Sequence, residues 1–187
     1  MAIEFFIGIL IAVIIALVAV VVVYINRIVI LGNRIDNSWS QIDVQLKKRA
    51  DLVPNLVETV KGYAKHEKSV FEAVTNARSE WMKASTPREK AKAGNVLAGA
   101  LKSVFAVAEN YPQLKASENF QMLQEELSGI EGKIAYARQF YNDSILTYNN
   151  IVTTIPGMWF AALIGRTQKQ SYLEIKETER QPVAVKF

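Results

Sequence analysis

The chain has 187 residues, half of them hydrophobic, with a formal net charge of +4, one histidine and no cysteine. That length holds one domain and an accessory segment. Without cysteine there is no disulfide framework and no thiolate metal site, and a lone histidine cannot make a two-histidine helical zinc motif. The mild basic balance, with no basic-aromatic or helix-turn-helix pattern, suits anionic lipid headgroups better than nucleic acid.

From Phe5 to Ile25 no charge occurs: FFIGILIAVIIALVAVVVVYI. About twenty residues at roughly 1.5 Å of rise each cover about 30 Å, the thickness of a bilayer's hydrocarbon core. A cleaved signal peptide would have a basic start, a shorter apolar region and a small-x-small site. Here the start is the acidic MAIE, and VYINRIVI offers no such site. A buried core helix is rarely apolar on every side. The expectation is a short tail over 1–4 and a transmembrane helix over 5–26. Arg27, Arg34, Lys47, Lys48 and Arg49 follow it, against Glu4 alone before it. The positive-inside rule therefore puts the N-terminus outside and the body in the cytoplasm. Tyr24 and Arg27 stand where interfacial residues belong.

Beyond the anchor the pattern is helical. Ile35, Trp39, Ile42, Leu46, Val53, Leu56, Val60 and Tyr63 recur at helix spacing, and the stripe continues through Val70, Val74, Ala77 and Trp81. Thr86-Pro87-Arg88-Glu89 is the clearest helix start, with threonine as cap, proline at the first helical position and Glu89 able to complete a capping box. Leu97, Leu101, Val104 or Phe105, and Ala108 mark its buried face, and Tyr111-Pro112 stops it. Ser117 opens a long helix striped by Phe120, Leu123, Leu127, Ile130, Ile134, Ala137, Tyr141, Ile145, Tyr148 and Ile151, ended by Pro156-Gly157. A short apolar piece, Met158 to Ile164, follows between basic neighbours Arg166 and Lys169. It either caps the bundle end or lies on the membrane interface, where Trp159 would suit headgroups. A single helix over 35–84 would outrun the helix returning along it and need the long last helix or a partner subunit to cover its near-membrane half. A break near Gly62 to Glu67 solves this within one chain, while the apolar phase, nearly continuous across Glu67, favours one helix. The fold class is all-α: a transmembrane helix and then an elongated antiparallel bundle, four-helix and up-and-down, over 27–176, with a tail over 177–187.

Candidates for chemistry are few. His66 has Gly62 and Val70 one turn away and no companion ligand. Glu125, Glu126 and Glu131 lack the Glu-x-x-His geometry of a di-iron bundle and read as a solvated face. No nucleophile-base set or phosphate-binding glycine loop is evident, so the expectation is no enzyme, no cofactor, no metal and no small-molecule substrate. The residues singled out are structural or interaction candidates. Pro54 lies inside a helical pattern and removes a hydrogen bond to the carbonyl near Ala50, for which Arg49 or Asn55 is the expected donor. Arg138, Tyr141 and Asn142 form either a polar edge or a buried layer fixing register against Arg49, Asp51 and Asn55.

Taken together, Gln41-Ile42-Asp43-Val44-Gln45-Leu46-Lys47-Lys48-Arg49, Asp51-Leu52-Val53-Pro54-Asn55-Leu56-Val57, Val60-Lys61-Gly62-Tyr63 and His66-Glu67 resemble the LemA family of bacterial membrane proteins. Ala77-Arg78, Ala137-Arg138, Tyr141-Asn142, Tyr148-Asn149, Pro156, Pro182-Val183 and the terminal Phe187 extend the resemblance over essentially the whole chain. Tyr172-Leu173 departs from the aromatic pair more usual there. The resemblance implies a single-pass inner-membrane protein, N-terminus outside, with a cytoplasmic helical bundle and no known enzymatic activity. The functional expectation is a non-enzymatic scaffold, bound to the bilayer through its N-terminal helix and presenting its bundle to protein partners or to copies of itself. The alternative is a membrane-stress or membrane-remodelling factor acting on lipid surfaces.

Overall fold

The computed structural model describes residues 1–167 and 171–173; Lys169, Pro182-Val183, Phe187 and the tail lie outside the described residues. Among the described residues six helices follow in order: α1 (Ala2–Lys61), α2 (Lys68–Lys83), α3 (Pro87–Ala108), α4 (Pro112–Lys115), α5 (Glu118–Thr153) and α6 (Gly157–Leu163). Among the described residues no strand occurs, and the chain is all-α as its periodicity predicts.

The breaks have local causes. α1 stops at Lys61, where the Tyr63 amide closes a tight turn onto the Val60 carbonyl at 3.0 Å and Ala64 is buried behind it. Gly62 does not use a left-handed conformation there, since Gly165 has the only positive φ among the described residues. The reversal therefore falls where the sequence places it, through turn bonds rather than a glycine cap. Thr86 caps α3 as expected, accepting from the Glu89 amide at 3.2 Å while Glu89 accepts from the Thr86 amide at 3.1 Å. Hydrogen bonds from the Thr86 and Ser85 amides hold the Glu89 carboxyl below its ordinary range. The one-turn α4 has no counterpart in the periodicity reading. Pro112 starts it, and the turn drives Leu114 to full burial.

Two compact units result, one from Met1–Ser38 with Phe140–Tyr172, the other from Trp39–Gln139 with Leu173. In the first, residues 1–20 of α1 are exposed throughout, and one stretch is long and apolar enough to cross a membrane. None of that stretch is buried, which a core helix of a soluble protein would not tolerate. From Tyr24 onward α1 is covered: Phe160 stacks on Tyr24 at 5.0 Å, Tyr148 and Arg166 approach Gly32, and Arg34 lies over Phe140 at 4.8 Å. As α1 numbers rise from Gly32 to Arg34, α5 numbers fall from Tyr148 to Phe140, so these two helices run antiparallel. Ile28, Leu31, Ile35, Ile145, Val152 and Ala161 form this unit's core.

In the second unit four segments alternate in direction. Asp43 meets Lys90 and Arg49 meets Gly94, so α1 and α3 run together. Ala50 meets Arg78 and Lys61 lies over Phe71, so α2 runs against α1. Asn95 meets Arg138 and Phe105 packs edge-on against Phe120, so α5 runs against α3. The core is the predicted stripes brought together: Ile42, Leu46, Val53, Leu56 and Val60 of α1 with Val74, Leu97, Leu101, Val104, Leu127 and Ile134. Between the two readings of α3, Val104 is the buried residue.

Candidate functional site

The second unit's polar centre is Arg49, the largest fully buried side chain, only 1% exposed. A guanidinium in that position requires partners, because an unpaired buried charge is costly. Its Nη2 donates to the Gly94 carbonyl at 2.6 Å, and its Nη1 donates to Glu131 Oε1 at 2.6 Å. Gly94 is what makes room: a Cβ added there would stand 3.1 Å from both Arg49 Nη2 and Leu46 Cδ2. One residue along α3, the Asn95 side chain accepts from Arg138 Nη2 at 2.7 Å. Arginines from α1 and α5 thus converge on consecutive positions of α3.

Two further cations close the same unit. Arg78 Nε donates to the Ala50 carbonyl at 2.8 Å, and Lys90 pairs with Asp43 at 2.8 Å while lying over the Trp81 ring. The carbonyl that Pro54 leaves unpaired is therefore satisfied from α2, and neither Arg49 nor Asn55 is the donor. Asp51, Pro54 and Asn55 are exposed. Glu131, expected on a solvated face with Glu125 and Glu126, is the half-exposed counter-ion of Arg49. Helix periodicity alone does not single out Gly94 or Asn95. A glycine inside an otherwise strong helical pattern is the signal that could have marked the close approach.

Beside this knot an open groove of about 610 Å³ runs between α1 and α5, lined by Val44, Gln45, Gly129, Gly132, Tyr136 and Ala137 among others. A second depression of about 740 Å³ shares Gln45, Gly129 and Lys133 with it and continues past Lys48, Glu125 and Glu126. Added Cβ atoms at Gly129 and Gly132 would meet nothing within 4 Å. Tyr136 is 73% exposed, Val44 is exposed beside it, and the buried Gln45 Oε1 accepts no hydrogen bond.

In the first unit, Tyr141 is buried and Asn142 half-buried on α5. Burial, and then the nearby Asp36 charge, push the Tyr141 phenol above its ordinary value. Tyr24 is half-buried against Phe160, while Arg27 and Trp159 are exposed. No group of three or more histidine or acidic side chains fit to hold a metal occurs among the described residues.

The chain is 26% identical over 152 residues to the magnetosome protein MamQ of Magnetospirillum gryphiswaldense, covering 67% of this chain and 56% of that protein. It is 24% identical over 161 residues to MamQ 2 of Paramagnetospirillum magneticum, covering 72% of this chain and 59% of that protein. MamQ 1 of the same organism matches to the same extent. The chain thus spans a little over half the length of these relatives. The model of the LemA family matches residues 38–187, a stretch that takes in the arginine knot, the groove and α6, and this chain is a member of that family.

Proposed function

We propose that this protein is a membrane-anchored, non-enzymatic helical scaffold that receives an amphipathic helix of a protein partner in the groove between α1 and α5. The groove carries the reading. Its glycines let a second helix approach closely, and Val44, Tyr136 and Ala137 offer it an apolar surface. At the other end Lys48, Lys133, Glu125 and Glu126 provide charges of both signs to fix register. The arginines near it are committed to holding helices together, which suits a rigid platform better than a reaction centre. The basic flank after the apolar run supports a cytoplasmic location for the body.

The test is a photo-cross-linking residue at Tyr136 in the full chain in its membrane, with Glu72 on α2 as the exposed control. Discrete adducts are expected from Tyr136, none from Glu72, and loss of the Tyr136 adducts when Gly132→Trp fills the groove. Adducts to a second copy would make the partner the protein itself. Equal labelling from both positions, or adducts that survive the filled groove, would end this reading.

A further inference from the structure

The outward side of α6 has no polar side chain. Gly157–Leu163, GMWFAAL, buries Gly157 and Ala161, leaving Trp159 58% and Leu163 72% exposed, with Ile155 just ahead at 68%. A helix closing the end of a water-soluble bundle would turn polar residues outward there. The depth of α6 follows from its packing within the same unit. Phe160 stacks on Tyr24 at 5.0 Å, with 28° between the rings, and Tyr24 belongs to the last turn of the uncharged run. With that run in hydrocarbon, whatever lies against Tyr24 stands at the edge of the hydrocarbon layer. That is the level at which tryptophan is favoured and a short apolar face can be covered by acyl chains. A cation flanks it in the appropriate place: Arg27, exposed, follows Tyr24 by three residues.

We propose that α6 is an interfacial helix. Ile155, Trp159 and Leu163 insert at the headgroup–acyl boundary of the bilayer that α1 spans, and Arg27 meets lipid phosphates. This goes beyond the scaffold reading and is independent of the groove; it depends only on α1 crossing a bilayer.

Because the chain has no cysteine, single-cysteine spin labels report one place each. The full chain is reconstituted in vesicles of mixed zwitterionic and anionic phospholipid and labelled at Val18→Cys, Glu72→Cys, Trp159→Cys or Leu163→Cys. Collision rates are read with oxygen, which concentrates in lipid, and with a polar nickel chelate, which does not. Labels at 159 and 163 are expected to give an oxygen-to-nickel ratio several-fold above that at 72 and below that at 18. A ratio equal to that at 72 overturns the proposal, as does low collision with both reagents, which would mean protein covers α6. A water-like ratio at 18 would instead overturn the anchor itself. Since a substitution in so short a helix can loosen it, the unsubstituted chain is measured too. Brominated lipids should quench a part of its tryptophan emission that disappears in Trp159→Phe, and unchanged quenching in that variant counts against the proposal.

Discussion

Arg78 on α2 donates from its Nε to the carbonyl oxygen of Ala50 on α1 at 2.8 Å. Ala50 is one turn before Pro54, whose missing amide denies that carbonyl its helical partner. Ala50 is 1% exposed, so water cannot take the amide's place. The long-range arginine is what allows α1 to run unbroken through a proline.

The two residues should therefore be energetically coupled. Arg78→Ala strands a buried carbonyl and should cost about 1–3 kcal/mol. In a Pro54→Ala background the helix supplies its own donor, and the same change should cost about 1 kcal/mol less or better still be nearly neutral. Urea denaturation of the four proteins measures the cycle. Additive effects would mean the bond is incidental.

Arg49 and Glu131 make the second case, and the more exposed partner is the informative one. The Arg49 side chain is 1% exposed and that of Glu131 is 47% exposed. A solvent-facing glutamate is ordinarily replaceable within about 0.5 kcal/mol. Glu131→Ala, however, leaves a buried cation with the Gly94 carbonyl as its remaining acceptor. The expected loss is about 3 kcal/mol, the low end for breaking a buried pair, because Glu131 itself stays partly hydrated. Arg49→Met, which removes the charge and keeps the volume, should be the milder change. Thermal denaturation of the two variants would decide, and equal stability of Glu131→Ala and the unsubstituted chain would contradict this account.

What was legible in the sequence, and what was not, divides along the range of the forces involved. Helix positions, the Thr86 capping box and the buried stripes depend on neighbours within a turn or two, and they stand where spacing puts them, save Tyr63, which lies past the end of α1 and is 45% exposed. The vacancy at Ala50 was legible for the same reason, since proline acts four residues back. Its donor was not, because Arg78 lies 28 residues away and nothing local distinguishes it from other surface arginines. Glu131 looked solvated because its own helix gives it no partner; only the approach of Arg49, 82 residues distant, changes that. The groove is of the same kind: nothing in α5 alone marks Gly129 and Gly132, which line an opening only because α1 is alongside.

Glycines in this chain should respond to alanine in opposite ways. An added Cβ at Gly157 would collide with the Ile151 carbonyl oxygen and press on Ile151 Cγ1 at 3.0 Å. Backbone cannot yield as a side-chain end can, so Gly157→Ala should cost about 1–3 kcal/mol and displace α6. Gly99, inside α3, would meet nothing within 4 Å. Gly99→Ala should add about 0.5–1 kcal/mol by helix propensity alone. Melting temperatures measure both, and limited proteolysis after Arg166 reports the release of α6 in the first.

Tyr141 predicts an alkaline limit to stability. Burial first, and the Asp36 carboxylate second, raise its phenol above the ordinary 10.0. The unfolded chain therefore releases this proton at lower pH than the folded one. Its contribution is intact below about pH 10 and is lost as the pH climbs through the higher folded value, because the unfolded state then binds fewer protons. Denaturation midpoints at about pH 8 and about pH 10.5 should differ less in Tyr141→Phe than in the unsubstituted chain. The comparison is one of slopes, so any packing change common to both pH values cancels, as do the other tyrosines and the lysines. Asp36→Asn should remove the smaller, charge-borne part of the effect and leave the part due to burial. An identical pH slope in Tyr141→Phe and the unsubstituted protein would show that Tyr141 ionises as freely folded as unfolded, and that the packing of the first unit does not enclose it.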